Sequence, residues 1–285
     1  MSAIPQPQSS TALDDLMSKV DDVAVLPHVV FKVLEITGNC ESPALEMEKA
    51  IAIDPGFSTK LLTLANSSYF GLPRRVNSIK EALMFLGYKS VRNLAMTIGA
   101  FDMFVGKNDE ESLRRRTWWR HSVDTAVCAK WLCKSATKLN PDEAYTCGLL
   151  HYLGRTLLDR FGSGSYTQCS HLIESGESVI TAEERIFECN HIDVAVSSAR
   201  KWGFPEALCQ GLIYWDAPAE HEEFKAERAL TALSSAIATL AKQGRKGSDL
   251  DVPEWAFPLL QLPLNQAESI VDEGIGVITA AQLNF

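Results

Sequence analysis

The sequence predicts an all-α protein. Apolar residues recur at intervals of three and four along most of the 285 residues, which is the period of an amphipathic helix. Proline or small polar residues stand where many of these segments begin, as they do at helix starts. Strands with a convincing two-residue alternation are missing from the sequence, as is a glycine-rich phosphate loop. These observations disfavour a nucleotide-binding α/β fold.

Proline marks the first predicted helices. In "LPHVVFKVLEI", Pro27 stands at a helix start. In "SPALEMEKAIAIDP", Ser42 is the predicted N-cap and Pro43 the first helical residue. That helix is predicted to stop at Asp54-Pro55, because the residue before a proline disfavours the helical conformation.

The next stretch predicts three helices. "GFSTKLLTLANSSYFG" is helical up to a polar break, at which Asn66 and Ser67 are expected to cap helix ends. "NSIKEALMFLGYKSVRNLAMTIGAFDMF" predicts two helices joined at Gly87. Ser78 and Glu81 have the spacing of a capping box at the start of the first of these.

The second half of the sequence predicts longer helices. One runs from about residue 110 to 139 and holds "TWWRH", where adjacent rings point ~100° apart, so at least one tryptophan is expected in the core. Pro141 opens the next helix, which is predicted to run through "CGLLHYLGRTLLDRF". "TAEERIFECNHIDVAVSSARKWGF" predicts two helices. "AERALTALSSAIATLAKQG" and residues 265–275 predict two more, separated by the polar linker "RKGSDLDVP".

The composition and charge of the chain disfavour several classes of function. The chain is 46% hydrophobic and 22% charged, as globular proteins are, with a net charge of -9. Acidic chains repel phosphates, so direct nucleic-acid binding is not expected, and the basic cluster at 113–116 is interpreted as a solvated helix face. No apolar run would span a bilayer, and the N-terminus does not resemble a secretory signal. Seven scattered cysteines without a CxxC pair indicate a reducing, cytoplasmic location.

Three of the six histidines stand out. His121, His151 and His191 each fall in a segment with a strongly apolar helical face, whereas the other three lie in more polar surroundings. A single histidine of this kind is more often a hydrogen-bonded core residue than a ligand. A site requires the three to converge, which their spacing does not show.

An ordered series of segments resembles the HDOD family, bacterial signalling domains related to HD-type metal-dependent phosphohydrolases. "WWRHSVDTA", "CGLLHYLGR" and "ECNHIDVAVSSARKWGFPEAL" match the histidine-bearing regions of that family. The resemblance covers roughly residues 13–215 and implies two packed helical halves. In the first half the matching residues are Asp54-Pro55, Leu64-Ala65-Asn66-Ser67, Ile79, Ala82, Leu86-Gly87, Val91-Arg92 and Leu94.

The resemblance also shows where this chain departs from an active HD-type site. Such a site uses a histidine, then an adjacent His-Asp pair, then a distant aspartate. His121 and His151 match the histidines, but Tyr152 replaces the paired aspartate. The helix around "LTALSSAIATL", where the last aspartate is expected, has no acid, and Trp215-Asp216 stands where relatives often carry two histidines. A divalent cation needs carboxylates to offset its charge, and a neutral phenol is a poor substitute.

The sequence therefore predicts a flexible N-terminus (1–12), an HDOD-like domain (13–218) and a C-terminal helical appendage (219–285). We expect a non-catalytic regulatory module that contacts signalling proteins in trans, away from membranes and nucleic acid, with no prediction of its oligomeric state. His121, His151 and His191 would form a vestigial metal site; no cofactor is expected, although weak binding of Zn, Fe or Mn stays open.

Two alternatives also stay open. One is a metal-dependent phosphohydrolase acting on a nucleotide or cyclic dinucleotide, in which Asp124, Glu188, Asp193 or Asp216 completes a rearranged site. Each of these acids is more often a solvated or capping residue. The other is a small-molecule sensor that uses the former cleft as a pocket, which ligand-induced thermal stabilisation would reveal.

Overall fold

The structure is a computed structural model that describes residues 11–21, 27–38, 44–67, 70–105, 109–136, 139–219, 222–249 and 251–281. These residues form helices, short 3-10 turns and loops, and no strand occurs among them. The all-α prediction is confirmed. The helices are α1 (Thr11–Asp21), α2 (His28–Gly38), α3 (Ala44–Ala52), α4 (Pro55–Ala65), α5 (Ile79–Leu86), α6 (Tyr88–Phe101), α7 (Asp109–Ala136), α8 (Pro141–Leu150), α9 (Leu153–Phe161), α10 (Tyr166–Glu174), α11 (Val179–Phe187), α12 (His191–Lys201), α13 (Glu206–Gly211), α14 (Lys225–Gln243), α15 (Ala256–Leu259) and α16 (Ala267–Ala281).

Local capping sets the helix boundaries in the first half. The Asp54 side chain accepts a hydrogen bond from the Phe57 amide, with Pro55 as the first residue of α4. Ser78 caps α5 through the Glu81 amide, as predicted, but the Glu81 carboxylate accepts from the Asn77 amide rather than from Ser78. The predicted cap at Ser42 lies outside the described residues.

The polar break after α4 fixes a loop. Asn66 is the C-cap of α4, and its side-chain amide also donates to the Val76 carbonyl and accepts from the Val76 amide, both at 2.8 Å. The cap predicted at Ser67 is wrong, because its hydroxyl is buried without a hydrogen-bond partner among the described residues. Asn66 therefore ends one helix and pins the segment that leads into the next.

The two halves meet along α6 and α8. Helices α2 to α6 pack mainly on each other, and α7 packs against α8, α14 and α16 in the second half. At the junction Asn93 donates to Asp142 at 2.9 Å, and the Thr97 and Tyr145 hydroxyls are 2.9 Å apart. One hydrophobic core runs through both halves, and a second lies around α7, α14 and α16.

Helix α7 is the central element of the second half. Trp118 and Trp119 are both buried, so the prediction of at least one core ring is confirmed. The interpretation of the basic cluster as a solvated face is wrong for two of its members. Arg115 is only 1% exposed, and Arg114 and Arg115 both donate to Asp159 of α9 at 2.6 Å. These arginines hold α9 against α7.

The prediction of one continuous helix through "CGLLHYLGRTLLDRF" is also wrong. Helix α8 ends at Leu150 and α9 begins at Leu153, with His151 and Tyr152 at the junction. The bend lets α8 and α9 follow different neighbours: α8 packs on α7, and α9 packs on α12. Among the helices described above, none combines the length and the hydrophobicity that crossing a bilayer requires.

Candidate functional site

The three histidines singled out in the sequence converge around Tyr152. The ring centroid of Tyr152 lies 4.5 Å from that of His121, 4.2 Å from that of His151 and 6.3 Å from that of His191. All three histidines are buried, whereas Tyr152 is partly exposed. The tyrosine ring therefore fills the space among the imidazoles on the side nearest solvent.

Two glycines allow the backbones to approach closely enough for this convergence. A Cβ on Gly154, in the first turn of α9, would lie 1.8 Å from the carbonyl oxygen of His191. A Cβ on Gly148, in α8, would lie 2.7 Å from Cα of Ala126 in α7. Neither distance is compatible with a side chain, so glycine at these positions brings α12 and α7 up to the α8–α9 junction.

A serine of α14 links the first two histidines. The Ser235 hydroxyl lies 3.1 Å from Nε2 of His121 and 3.3 Å from Nε2 of His151. Nδ1 of His151 lies 2.6 Å from the Gly148 carbonyl, which only accepts, so Nδ1 carries the proton and Nε2 is an acceptor. Ser235 therefore donates to His151 and accepts from Nε2–H of His121.

The third histidine belongs to a separate network with a carboxylate. Nδ1 of His191 donates to Glu183 at 2.5 Å, and Nε2 of His191 accepts from the Tyr214 hydroxyl at 2.9 Å. Glu183 also accepts from the His191 amide at 2.8 Å and from the Tyr166 hydroxyl at 2.6 Å. Because His191 is the first residue of α12, its side chain and its amide reach the same carboxylate.

Arg155 provides the positive charge that offsets Glu183. Its guanidinium stacks over the Tyr152 ring, 3.9 Å from the centroid, and its Nε is 4.0 Å from Glu183 Oε1. Both side chains are almost fully buried. A paired charge of this kind is tolerated in a low-dielectric interior, where either partner alone would be strongly destabilising.

The environment keeps the histidines neutral. Burial, and then the charge of Arg155, lowers the pKa of His121 to about 3. Burial, and then neighbouring His121, lowers the pKa of His151 well below its usual value. Burial also lowers the pKa of His191, although Glu183 opposes that shift. The pKa of Glu183 is lowered as well: burial opposes ionisation, but His191, Arg155 and Tyr166 outweigh it.

These residues do not fit a divalent metal. The ring nitrogens that would be ligands, Nε2 of His151 and Nε2 of His191, each accept a hydrogen bond from a protein hydroxyl. Glu183, the carboxylate of the cluster, already has three hydrogen-bond donors and faces Arg155. Throughout the described residues, no group of three His, Cys, Asp or Glu side chains could hold a metal ion.

The acids considered for a rearranged site lie in other surroundings. Asp124 pairs with Arg120 at 3.0 Å, and Asp193 accepts from Asn190 at 2.9 Å. Glu188 is the left-handed C-cap residue of α11. Trp215 and Asp216, at the position where the family resemblance implies two histidines, are exposed and directly follow Tyr214.

The residues that complete the cluster are Glu183, Arg155, Tyr214 and Ser235, and the sequence did not single them out. One sequence signal was available for Glu183, which stands eight residues before His191 on an otherwise apolar helical face. The structure shows that this side chain is fully buried. Ser235 lies in "LTALSSAIATL", where the last aspartate of an HD-type site was expected. The structure places that segment of α14 between His121 and His151.

Comparison with known proteins identifies the family. A family model described as "HDOD domain" matches residues 23–218. The chain belongs to the HDOD family. The resemblance drawn from the sequence is thus confirmed. The match ends before α14, so the helix that supplies Ser235 lies beyond it, and the predicted domain limits stay a prediction.

Solved structures share the HDOD architecture along nearly all of this chain. An HDOD domain protein of unknown function from Geobacter sulfurreducens is 23% identical, with a TM-score of 0.78, over 96% of this chain and 98% of that one. A proposed phosphohydrolase from Shewanella amazonensis SB2B is 22% identical, with a TM-score of 0.71, over 96% and 99%. A proposed signal transduction protein from Marinobacter aquaeolei VT8 is 18% identical, with a TM-score of 0.72, over 95% and 62%.

A curated relative extends beyond the matching region. An uncharacterized protein of Treponema pallidum (strain Nichols) is 27% identical over an alignment of 234 residues, and the alignment covers 77% of this chain. The match takes up 43% of that relative, so this chain spans less than half the relative's length.

Proposed function

We propose that this HDOD domain is a non-catalytic signalling module that acts through contacts with proteins in trans, in the cytoplasm. The observation that carries the proposal is the position of Tyr152. Its ring packs against His121 and His151, at the position where an HD-type site would need a carboxylate that holds metal. The name of the Marinobacter relative, a proposed signal transduction protein, agrees with this assignment.

The histidine cluster links several helices through buried hydrogen bonds, as a structural site does. Ser235 joins His121 of α7 to His151 at the α8–α9 junction, and Glu183 joins α11 to the start of α12. Six helices, α7, α8, α9, α11, α12 and α14, are thereby joined by two adjacent hydrogen-bond networks. Such buried polar networks, when fully satisfied, favour one defined arrangement of the surrounding helices. A rigid arrangement suits a domain that presents a fixed surface to its partners.

A hydrolysis assay tests the proposal. The purified chain and its His151→Ala variant are incubated with bis(p-nitrophenyl) phosphate, and separately with nucleotides and cyclic dinucleotides, in the presence of Mn, Fe, Zn or Mg. The expected result is product formation equal to that of the variant under every condition. Metal-dependent turnover that the His151→Ala change abolishes would overturn the proposal.

The competing function is a metal-dependent phosphohydrolase. The name of the Shewanella relative, a proposed phosphohydrolase, favours it. It requires that the hydroxyls of Ser235 and Tyr214 leave the histidine nitrogens and that the Tyr152 ring moves aside when metal binds. Because Glu183 would remain the one carboxylate of the cluster and is opposed by Arg155, the site would offer little negative charge to a dication.

A further inference from the structure

The surface around α5 exposes large apolar side chains. Met84 is 74% exposed and Phe85 is 41% exposed, although each sits on a helix whose other side is in the core. We call Met84, Phe85 and the basic residues Arg74, Arg75 and Lys80 the α5 patch. Isolated exposed apolar residues are common, but two adjacent large ones framed by charges indicate a contact surface.

The structure holds these side chains outward. Helix α5 buries Ile79, Ala82 and Leu83, so its opposite side must face away from the core. Ser78 caps the helix at its start, and Gly87, with a φ of 79°, ends it. Met84 and Lys80 are one turn apart and therefore neighbours on the exposed side. Exposure of Met84 and Phe85 is thus a consequence of how α5 is anchored.

The α5 patch is basic on an acidic protein. From residue 74 to residue 92 there are five basic residues and one acidic residue, whereas the whole chain has a net charge of -9. The Arg74 guanidinium lies 5.0 Å from the centroid of the Phe85 ring and pairs with Glu81 at 3.1 Å. Arg75 and Lys80 are exposed, and within the described part of the chain neither has an ion-pair partner.

The neighbouring helix, α3, adds an exposed apolar side chain and an acidic side chain beside the α5 patch. Helix α3, whose first turn holds Leu45 and Glu46, packs against α5. Leu45 of that turn is 55% exposed. The surface formed by α5 and its neighbour α3 therefore exposes apolar side chains from both helices, basic side chains in and before α5, and the acidic Glu46 of α3.

From these observations we infer that the α5 patch binds an acidic amphipathic segment of a partner protein. Apolar residues of that segment would cover Met84 and Phe85, and its carboxylates would pair with Arg75 and Lys80. A symmetric contact between two α5 patches would set the same basic side chains against each other, which like-charge repulsion opposes. The inference rests on the proposed function in taking the domain to act through protein contacts.

Two synthetic helical peptides test the inference on the full chain. Each has about 18 residues, or five turns, with the same leucine stripe, flanked by glutamate in one peptide and by lysine in the other. Fluorescence anisotropy of the labelled peptides is expected to show at least about tenfold tighter binding of the glutamate peptide, weakened at about 0.5 M salt. The variant Met84→Ser/Phe85→Ser should weaken that binding at least about tenfold. Arg75→Glu/Lys80→Glu should reverse the preference between the peptides.

A matched control distinguishes binding at the α5 patch from nonspecific hydrophobic binding of the peptides. Leu113→Ser removes a side chain that is 69% exposed elsewhere, on α7, and should leave peptide binding unchanged. Equal binding of both peptides, or binding that survives Met84→Ser/Phe85→Ser, would overturn the inference. So would self-association in sedimentation velocity that this double variant abolishes, because the occupant would then be a second copy. Hydrolytic activity is measured separately, so a failure of the peptide test is distinguishable from a failure of the proposed function.

Discussion

At the scale of single residues, Tyr152 decides the character of the cluster. The resemblance to HD-type sites implies that Tyr152 stands at the position of the paired aspartate, and in the structure its ring packs against His121 and His151 and beneath Arg155. The histidines could be selected from sequence because each interrupts an apolar face. Ser235 could not, because it lies far from His121 and His151 in the chain, whereas Glu183 carried the same kind of signal, an acid on an apolar helical face, and was not selected.

The packing role of Tyr152 can be tested by truncation. Tyr152→Ala removes a ring that fills the space among the histidines and should lower the free energy of unfolding by about 3 kcal/mol. Tyr152→Phe keeps the ring and should change that free energy by less than about 1 kcal/mol. Urea denaturation followed by circular dichroism measures both. Equal losses in the two variants would show that the hydroxyl, and not the ring, matters.

The buried charge pair gives a second prediction at this scale. Glu183→Gln leaves the Arg155 guanidinium buried without a counter-charge and should lower the free energy of unfolding by about 3 to 5 kcal/mol. Glu206→Gln breaks a partly exposed pair with Arg200 and should lower it by less than about 1 kcal/mol. Thermal and urea unfolding of both variants provide the comparison. A Glu183→Gln variant as stable as Glu206→Gln would contradict the assigned pairing.

The neutral histidines predict a loss of stability in acid. Their pKa values in the folded state lie below the value of about 6.5 expected in the unfolded chain. The unfolded chain then binds more protons, so stability is fully present above about pH 6.5 and falls as the pH drops toward the folded pKa, about 3 for His121. Urea midpoints at pH 7.5 and 5.5 should differ, and less so in His121→Gln. Equal midpoints for the natural chain would refute the prediction.

At the scale of the elements, sequence signals located helix ends better than they located a bend inside an apolar run. Asp54-Pro55, Ser78 and Gly87 act within a few residues, so their capping roles are readable from sequence. The break at His151–Tyr152 is not marked by proline or by a polar cap. It arises because α8 and α9 pack on different helices, which is a property of the assembled fold.

A single alanine substitution tests the close approach of the α9 backbone to the start of α12. Gly154→Ala would place a Cβ 1.8 Å from the His191 carbonyl, so α9 must shift, and we expect a loss of at least about 2 kcal/mol in unfolding free energy. Gly276→Ala is the matched control, since no atom lies within 4 Å of its Cβ, and it should be neutral or stabilise α16 by up to about 1 kcal/mol. Differential scanning calorimetry of both variants measures the contrast. Similar melting temperatures would show that the helix contact is loose.

At the scale of the whole molecule, the fold class and the family were readable from the sequence, while the completed cluster was not. The helical periodicity predicts each helix from its own segment, and the ordered series of motifs indicates the family in the same segment-by-segment way. The cluster needs α14, which lies beyond the residues of the family match, to deliver Ser235 between two histidines of the HDOD region. Helix α14, which lies in the segment predicted to be a C-terminal appendage, therefore contributes directly to the buried histidine cluster.

The most direct test of the account is the metal content of the untagged protein after incubation with Mn, Fe, Zn and Mg and desalting. Elemental analysis of the natural chain and of His151→Ala should give the same result, with metal far below one ion per chain, because the ligand nitrogens are already hydrogen-bonded within the protein. Close to one ion per chain in the natural protein, lost in His151→Ala, would contradict the account and restore the metal-dependent phosphohydrolase.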